Sequence, residues 1–468
     1  MNDKFGNDLT VGSIPRHLLS LAVPMLLANL ISTGYNIVDA IWIGRFVGKE
    51  ALGAVAVSFP VIFIFVGVAA GATMATTVLV AQFYGARNMP MVTRTISTSF
   101  LISFAMSVIF AVVGIFTVTG ILRILGTPET ILPLAATYLV ITFYSFPTMY
   151  FMFLVSSVLR GMGDTKTPLY FMAVGFSINA VLDPFMIIGI GPFPAMGLDG
   201  AAWATLISSS IALVFAITYF WRKDSILLKS IRFFSLDPQI TKLIVKIGFP
   251  SMIQQSAIAI GIGAVTSIVN SFGAAAIAAF GAAGRVDSIA FLPAQSIGMS
   301  VSTMTGQNIG AGRYDRIPLI FKWGVMMTLA ITLFFAVLFV SIPGVLLAPF
   351  TADPEVIAIG SNYLRIAGPA ITFFAVMFIS NGIINGAGHT LTTLIFTLIA
   401  VWGMRVPLAA LLSAGPLGIN GVWVSYAIGF FTTMCISLAW YRSGRWKKAV
   451  IRPSRPPGAD IVPPGDRL

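Results

Sequence analysis

Charge is scarce in this chain. Of its 468 residues 9% are Asp, Glu, Lys or Arg, against about 25% in soluble domains. Acids number sixteen, histidines two, and Cys435 is the one cysteine. A single thiol excludes an intramolecular disulfide. No His/Cys cluster at metal-ligand spacing, no Gly-x-x-x-x-Gly-Lys-Ser/Thr phosphate loop and no Gly-x-Ser-x-Gly elbow occurs, so catalysis, nucleotide hydrolysis and a bound cofactor are not expected. The opening MNDKFGNDLT has no cationic region followed by a small-residue cleavage site, and no removable signal peptide is expected.

Apolar residues fill the space the charges leave: 57% of the chain is hydrophobic and its mean hydropathy is +0.93. Stretches long enough to cross about 30 Å of hydrocarbon fall near 18–43, 54–80, 95–120, 131–158, 168–190, 200–221, 242–270, 276–304, 320–342, 356–384, 391–413 and 419–441. The fold expected is an all-α integral membrane protein of about twelve transmembrane helices.

The chain also repeats itself. Gln82-Phe83-Tyr84-Gly85-Ala86 returns as Gln307-Asn308-Ile309-Gly310-Ala311, and Gly161-Met162-Gly163-Asp164-Thr165 as Gly386-Ala387-Gly388-His389-Thr390, both at an offset of 225. Gly197-Leu198-Asp199-Gly200 returns as Gly418-Ile419-Asn420-Gly421 at an offset of 221, after a shorter loop. Two six-helix lobes follow, with the same orientation because each has an even number of spans, and a central cleft between them is where a duplicated membrane unit places a substrate path. The division expected is 1–221 for the first lobe, 222–241 for an inter-lobe linker, 242–445 for the second lobe and 446–468 for a proline-rich, disordered tail.

The net charge of +12 belongs to topology rather than to nucleic acid, because the basic residues sit between spans. Arg87, Arg94, Arg160, Lys166, Arg222, Lys223, Arg313, Arg316 and Arg442 all lie on one set of loops, so both termini are expected in the cytoplasm of a multi-pass plasma (inner) membrane protein.

Thirteen of the sixteen acids lie in loops, termini or span ends; Asp39, Asp183 and Asp287 fall inside apolar segments, where a carboxylate is costly and marks a functional site. At 1.5 Å per residue Asp39 lies ~32 Å and Asp183 ~22 Å along outward-running helices. Asn179 stands one turn before Asp183 and can donate to it, while Pro184 frees the carbonyl of Ala180. Desolvation and like charge disfavour ionising both acids together, as a proton carrier requires. Asp287, two residues from Arg285, reads as a charge cluster at a span end where both meet water. Arg405, halfway along the eleventh span, is open between a helix carbonyl, a balancing acid and an anionic ligand. Asp164 and its counterpart His389 read as turn or capping residues. Twenty methionines and 37 phenylalanines are mostly span packing, though a cleft lined by them would accept many shapes and attract organic cations.

Tyr35-Asn36-Ile37-Val38-Asp39 through Gly44, the Gln82 and Gln307 motifs, Leu159-Arg160-Gly161-Met162-Gly163-Asp164 and Asn179-Ala180-Val181-Leu182-Asp183-Pro184 resemble the multidrug and toxic compound extrusion (MATE) transporters over about 1–445. The resemblance implies alternating access and export of organic, often cationic and amphipathic drugs against an inward proton or sodium gradient. In the microbial branch with a first-lobe site, the coupling positions match Asp39, Tyr138, Asn179, Asp183 and Thr205; a coupling sodium would take Asp39, Asn179, Asp183 and Thr205. A second branch couples sodium through acids on the seventh and tenth helices, and neither 242–270 nor 356–384 contains one. Candidate hinges are Pro24, Gly34 and Pro184. The alternative function is a flippase for lipid-linked saccharide precursors, which needs basic groups facing the cleft. Beyond small molecules and membrane lipid no partner is expected, and twelve spans suffice for a monomer.

Overall fold

The computed structural model describes residues 6–451 apart from 224, 233, 234 and 449. Among the described residues there is no strand. Eleven helices among the described residues are long and apolar enough to cross a membrane, and one bent pair makes the twelfth. The first six spans are Ile14–Val47, Lys49–Gly85, Met89–Ile124, the pair Leu132–Tyr144 and Phe146–Gly161, Lys166–Gly189 and Gly197–Arg222. The second six are Pro238–Asn270, Ala274–Gly310, Tyr314–Ser341, Pro354–Gly386, Thr390–Ser413 and Ile419–Arg442.

Local chemistry sets many of these ends. Asn88 caps the third span by accepting from the Met91 amide, and Asp237 caps the seventh by accepting from Gln239 and Ile240, each supplying an acceptor for orphan first-turn amides. Asp164 accepts from the amides of Lys166 and Thr167 at 3.0 and 3.1 Å and from the Thr167 hydroxyl at 2.6 Å, the capping role expected of it. The repeat-related turns before the fifth and eleventh spans both pass through a left-handed glycine, Gly163 at φ +86° and Gly388 at φ +90°, a conformation that a side chain resists. His389 joins Nε2 to the Lys448 carbonyl at 2.9 Å and sets its ring edge-on to Trp440. It is a packing residue.

Three features depart from the sequence expectation. The fourth span is broken by 48° at Ser145, where Pro147 opens the second half and cannot donate backward. The 222–241 linker contains a short helix, Ile226–Arg232, and the seventh span begins inside it at Pro238. Finally, packing continues past 446: Trp446 is 3% and Ile451 1% exposed, with Ile451 among first-lobe and seventh-span residues. The expected tail beyond 451 lies outside the described residues.

The lobes meet along the halves of their helices nearest the termini, and both glutamine motifs are at that seam. Gln82 donates to the Gly386 carbonyl at 2.8 Å, and Gln307 donates to the Gly161 carbonyl at 3.0 Å. Each glutamine thus reaches the repeat-equivalent glycine of the opposite lobe. Close backbone approach accompanies the exchange, since a Cβ on Gly85 would overlap the Gln307 carbonyl and one on Gly310 the Gln82 carbonyl. The amino-terminal segment lies over the seam: the Leu9 amide donates to Gln307 Oε1, Asn308 donates back to the Leu9 carbonyl, and Asn7 donates to the Gly163 carbonyl.

Candidate functional site

Inside the first lobe the first and fifth spans run in parallel, and the Thr165 hydroxyl, bonded to the Ser20 and Leu21 carbonyls, marks their register. The Thr165 hydroxyl donates to the Leu21 carbonyl at 3.1 Å. Asp39 lies 18 positions beyond Leu21 and Asp183 lies 18 beyond Thr165, so at equal rise the two acids reach the same level. The unequal depths expected from sequence arose from counting each from its own span start as if the starts were level, whereas Leu21, seven residues into the first helix, is what stands beside Thr165 at the start of the fifth. Level and facing, the carboxyl groups of Asp39 and Asp183 are within hydrogen-bonding reach of each other.

The pair is buried among polar partners. Asp183 is 0% and Asn179 1% exposed. Asn179 Nδ2 donates to Asp183 Oδ1 at 3.2 Å, one turn away as the spacing predicted. The Tyr35 and Thr205 hydroxyls are hydrogen-bonded to each other, and the Asp39 carboxyl and Tyr138 lie in the same neighbourhood. All five predicted coupling residues are therefore in one place. Tyr35 was missed, although its position four residues before Asp39 puts it on the same helical face.

Three oxygens in this nest are buried without a hydrogen-bond partner: Asp39 Oδ1, Asp183 Oδ2 and Asn179 Oδ1. All three are acceptors, and buried acceptors left unpaired are costly. Two carboxyl groups in mutual hydrogen-bonding reach need a shared proton or an intervening cation. The arrangement can therefore take up a proton, or a small cation held by Asp39, Asn179, Asp183 and Thr205.

The candidate hinges are continuous helix here. The first helix runs unbroken from Ile14 to Trp42 through Pro24 and Gly34, and no atom lies within 4 Å of where a Gly34 Cβ would be. Pro184 ends regular helix in the fifth span, and Phe185–Gly189 continues as a π-helical segment, a form common at functional positions.

Asp287 differs from its expectation. Rather than meeting water with Arg285, it is 7% exposed and accepts from the Tyr363 hydroxyl at 2.8 Å, while Arg285 is exposed on another face of the same helix. Two residues along a helix are about 200° apart, which separates them. Arg405 is also buried, with its guanidinium 4.5 Å from the Tyr426 ring centroid and 4.6 Å from that of Phe430.

Known proteins share this architecture. The MatE family model matches residues 24–185 and 250–411, once in each lobe. The chain is 34% identical to the probable multidrug resistance protein YpnP of Bacillus subtilis, covering 94% of this chain and 97% of that protein. To the probable multidrug resistance protein NorM of Thermotoga maritima it is 28% identical, covering 94% and 95%. A solved structure described as the outward-facing conformation of a multidrug resistance MATE family transporter superposes with a TM-score of 0.88 at 24% identity, covering 95% of this chain and 98% of that one. Two family matches on a duplicated twelve-span frame lead to one conclusion: the chain belongs to the MatE family of membrane transporters.

Proposed function

We propose that the chain is a secondary active multidrug efflux antiporter of the plasma membrane, with both termini cytoplasmic, exporting organic, often cationic and amphipathic compounds in exchange for protons. The observation that carries this reading is the facing Asp39/Asp183 pair with its unpartnered acceptor oxygens. The names of the relatives, multidrug resistance proteins, support the substrate class.

With the termini cytoplasmic, the seam of glutamines and glycines supports reading the closed end as the inner one and the form as outward-facing. A proton from outside enters between Asp39 and Asp183, satisfying acceptors that otherwise lack partners. Protonation drives the cycle only if the inward-facing form binds the proton with a different affinity. Both lobes come from one chain, so a monomer contains the whole path. The flippase alternative is not favoured: a pyrophosphate needs several basic groups facing the cleft, whereas the spans offer few besides Arg405 and the first lobe offers paired acids.

The test is efflux of a fluorescent organic cation from proteoliposomes under a proton gradient and, separately, a sodium gradient. Proton-driven flux that falls at least tenfold in Asp39→Asn and in Asp183→Asn supports the reading. Flux driven by sodium alone would replace the proton with sodium at this site; normal proton-driven flux in both variants would remove the site from the mechanism.

A further inference from the structure

The second lobe contains a buried polar cluster at the positions that match the first-lobe site. At the repeat offset of 225 Tyr363 is the counterpart of Tyr138, and at the later offset of 221 Tyr426 is the counterpart of Thr205. Arg405 falls between Met404 and Leu408, the counterparts of Asp183 at the two offsets. The same three spans thus converge in both lobes, with a guanidinium where the first lobe has an acid.

The unmet hydrogen-bonding capacity is inverted as well. The first-lobe site leaves three acceptor oxygens unpaired; the second-lobe cluster leaves two N–H donors unpaired, Arg405 Nε and Trp423 Nε1. Arg405 is 9% and Trp423 0% exposed. They belong to one aromatic group: Tyr363 meets Trp423 edge-on at 4.9 Å and lies 6.2 Å from Tyr426, whose ring the Arg405 guanidinium covers. Asp287 is the nearby acid, but its Oδ2 is taken by Tyr363 and no ion pair within 4 Å joins it to Arg405 among the described residues. An unpaired buried donor is as costly as an unpaired acceptor. A planar guanidinium matches a carboxylate with two parallel hydrogen bonds, and the flanking rings offer apolar faces to the body of the same ligand.

From the unpaired donors and the guanidinium we infer that the second lobe has a subsite for a carboxylate on an aromatic amphiphile, with Arg405 as the residue that binds it. This rests on the efflux reading and deepens it: one lobe takes the proton, the other takes an anionic group of the cargo.

A matched pair of dyes isolates the carboxylate, because rhodamine 123 is the methyl ester of rhodamine 110 and the two differ at that group alone. Equilibrium binding to the purified full-length protein in detergent is measured for wild type, Arg405→Gln and Arg405→Lys. The expected result is that wild type binds the free carboxylate at least as tightly as the ester, that Arg405→Gln lowers the affinity ratio of rhodamine 110 to rhodamine 123 by tenfold or more, and that Arg405→Lys lowers it less. Wild type that binds only the ester overturns the subsite, and so does a variant that weakens both dyes equally. If Arg405→Gln does not fold, sodium benzoate competing with rhodamine 110 on the wild type decides: selective displacement of rhodamine 110 supports the subsite, and equal or absent displacement of the two dyes overturns it. Binding needs no gradient, so failure of the subsite is distinguishable from failure of proton coupling, which proton-driven efflux of rhodamine 123 reads separately.

Discussion

Tyr35 has one hydroxyl proton and two neighbours able to accept it, the Asp39 carboxyl and the Thr205 hydroxyl. Thr205 has its own choice, since it also reaches the Ala201 carbonyl at 3.0 Å. Protonating the acid pair removes an acceptor, and the two hydroxyls can then turn toward each other and the helix carbonyl. Tyr35→Phe deletes this switch and leaves the ring contact with Phe176; proton-driven efflux in vesicles is expected to fall by threefold to tenfold, less than in Asp39→Asn, and a loss as large as that of Asp39→Asn would contradict the ranking. Asp39 and Asp183 were legible in the sequence because an intramembrane acid is conspicuous against apolar neighbours. Tyr35 was not, because a membrane tyrosine that packs and one that donates look alike until the partner is placed. Asp287 was misread for the same kind of reason: proximity to Arg285 in sequence said nothing about which face of the helix each residue occupies.

Outside the spans, His389 has a pH-dependent consequence. Burial holds its imidazole below the usual value of 6.5, against the opposing effect of its bond to the Lys448 carbonyl. The folded protein therefore favours the neutral ring, so the site's contribution to stability is full above about pH 6.5 and is lost as pH falls through the lowered value. Thermal stability measured at pH 7.5 and pH 5 should fall less steeply in His389→Gln than in the wild type; an identical pH dependence would contradict this sign.

At the scale of elements, the informative contact is the crossing of the second and eighth spans at the end nearest the termini. Gln82 and Gln307 exchange bonds with Gly386 and Gly161 across the lobes, while Gly85 and Gly310 allow the backbones to touch. Gly310→Ala places a methyl group against the Gln82 carbonyl, and a displaced backbone in a packed seam costs about 1–3 kcal/mol. The seam is then expected to open more often, raising the labelling rate of a cysteine introduced at Ala81, which packs against Gly306 there, by roughly the fivefold or more that such an energy implies. Unchanged labelling would show that the lobes are held together elsewhere. The motifs themselves were legible as a repeat, but their pairing was not: the sequence shows two copies of a phrase without showing that each copy addresses the other lobe. The break at Ser145 was hidden for a different reason, since Pro147 is compatible with either a helix start or a kink.

At the scale of the whole molecule the duplicated frame has diverged in one respect, the sign of its buried groups. The first lobe offers acceptors and acids, the second a guanidinium and unpaired donors. Twelve spans, two lobes and their common orientation were legible because hydrophobic length and even span counts are physical requirements of the bilayer. Span ends were less so, because helices run beyond their apolar stretches: the first starts at Ile14 and the seventh at Pro238, and which residues stand level is set by contacts such as Thr165 with Leu21 rather than by where hydrophobicity begins.

Exchange of a proton for cargo at the Asp39/Asp183 pair can be read without any gradient. The most direct measurement is proton release on binding: rhodamine 123 is added to the purified protein in weakly buffered detergent at neutral pH, and the pH change is followed with an indicator beside Asp39→Asn and Asp183→Asn. About one proton released per dye bound is expected from the wild type, because forms that favour cargo must disfavour the proton, and none from either variant. Dye binding by the wild type with no proton released, or equal release by Asp39→Asn, would contradict it.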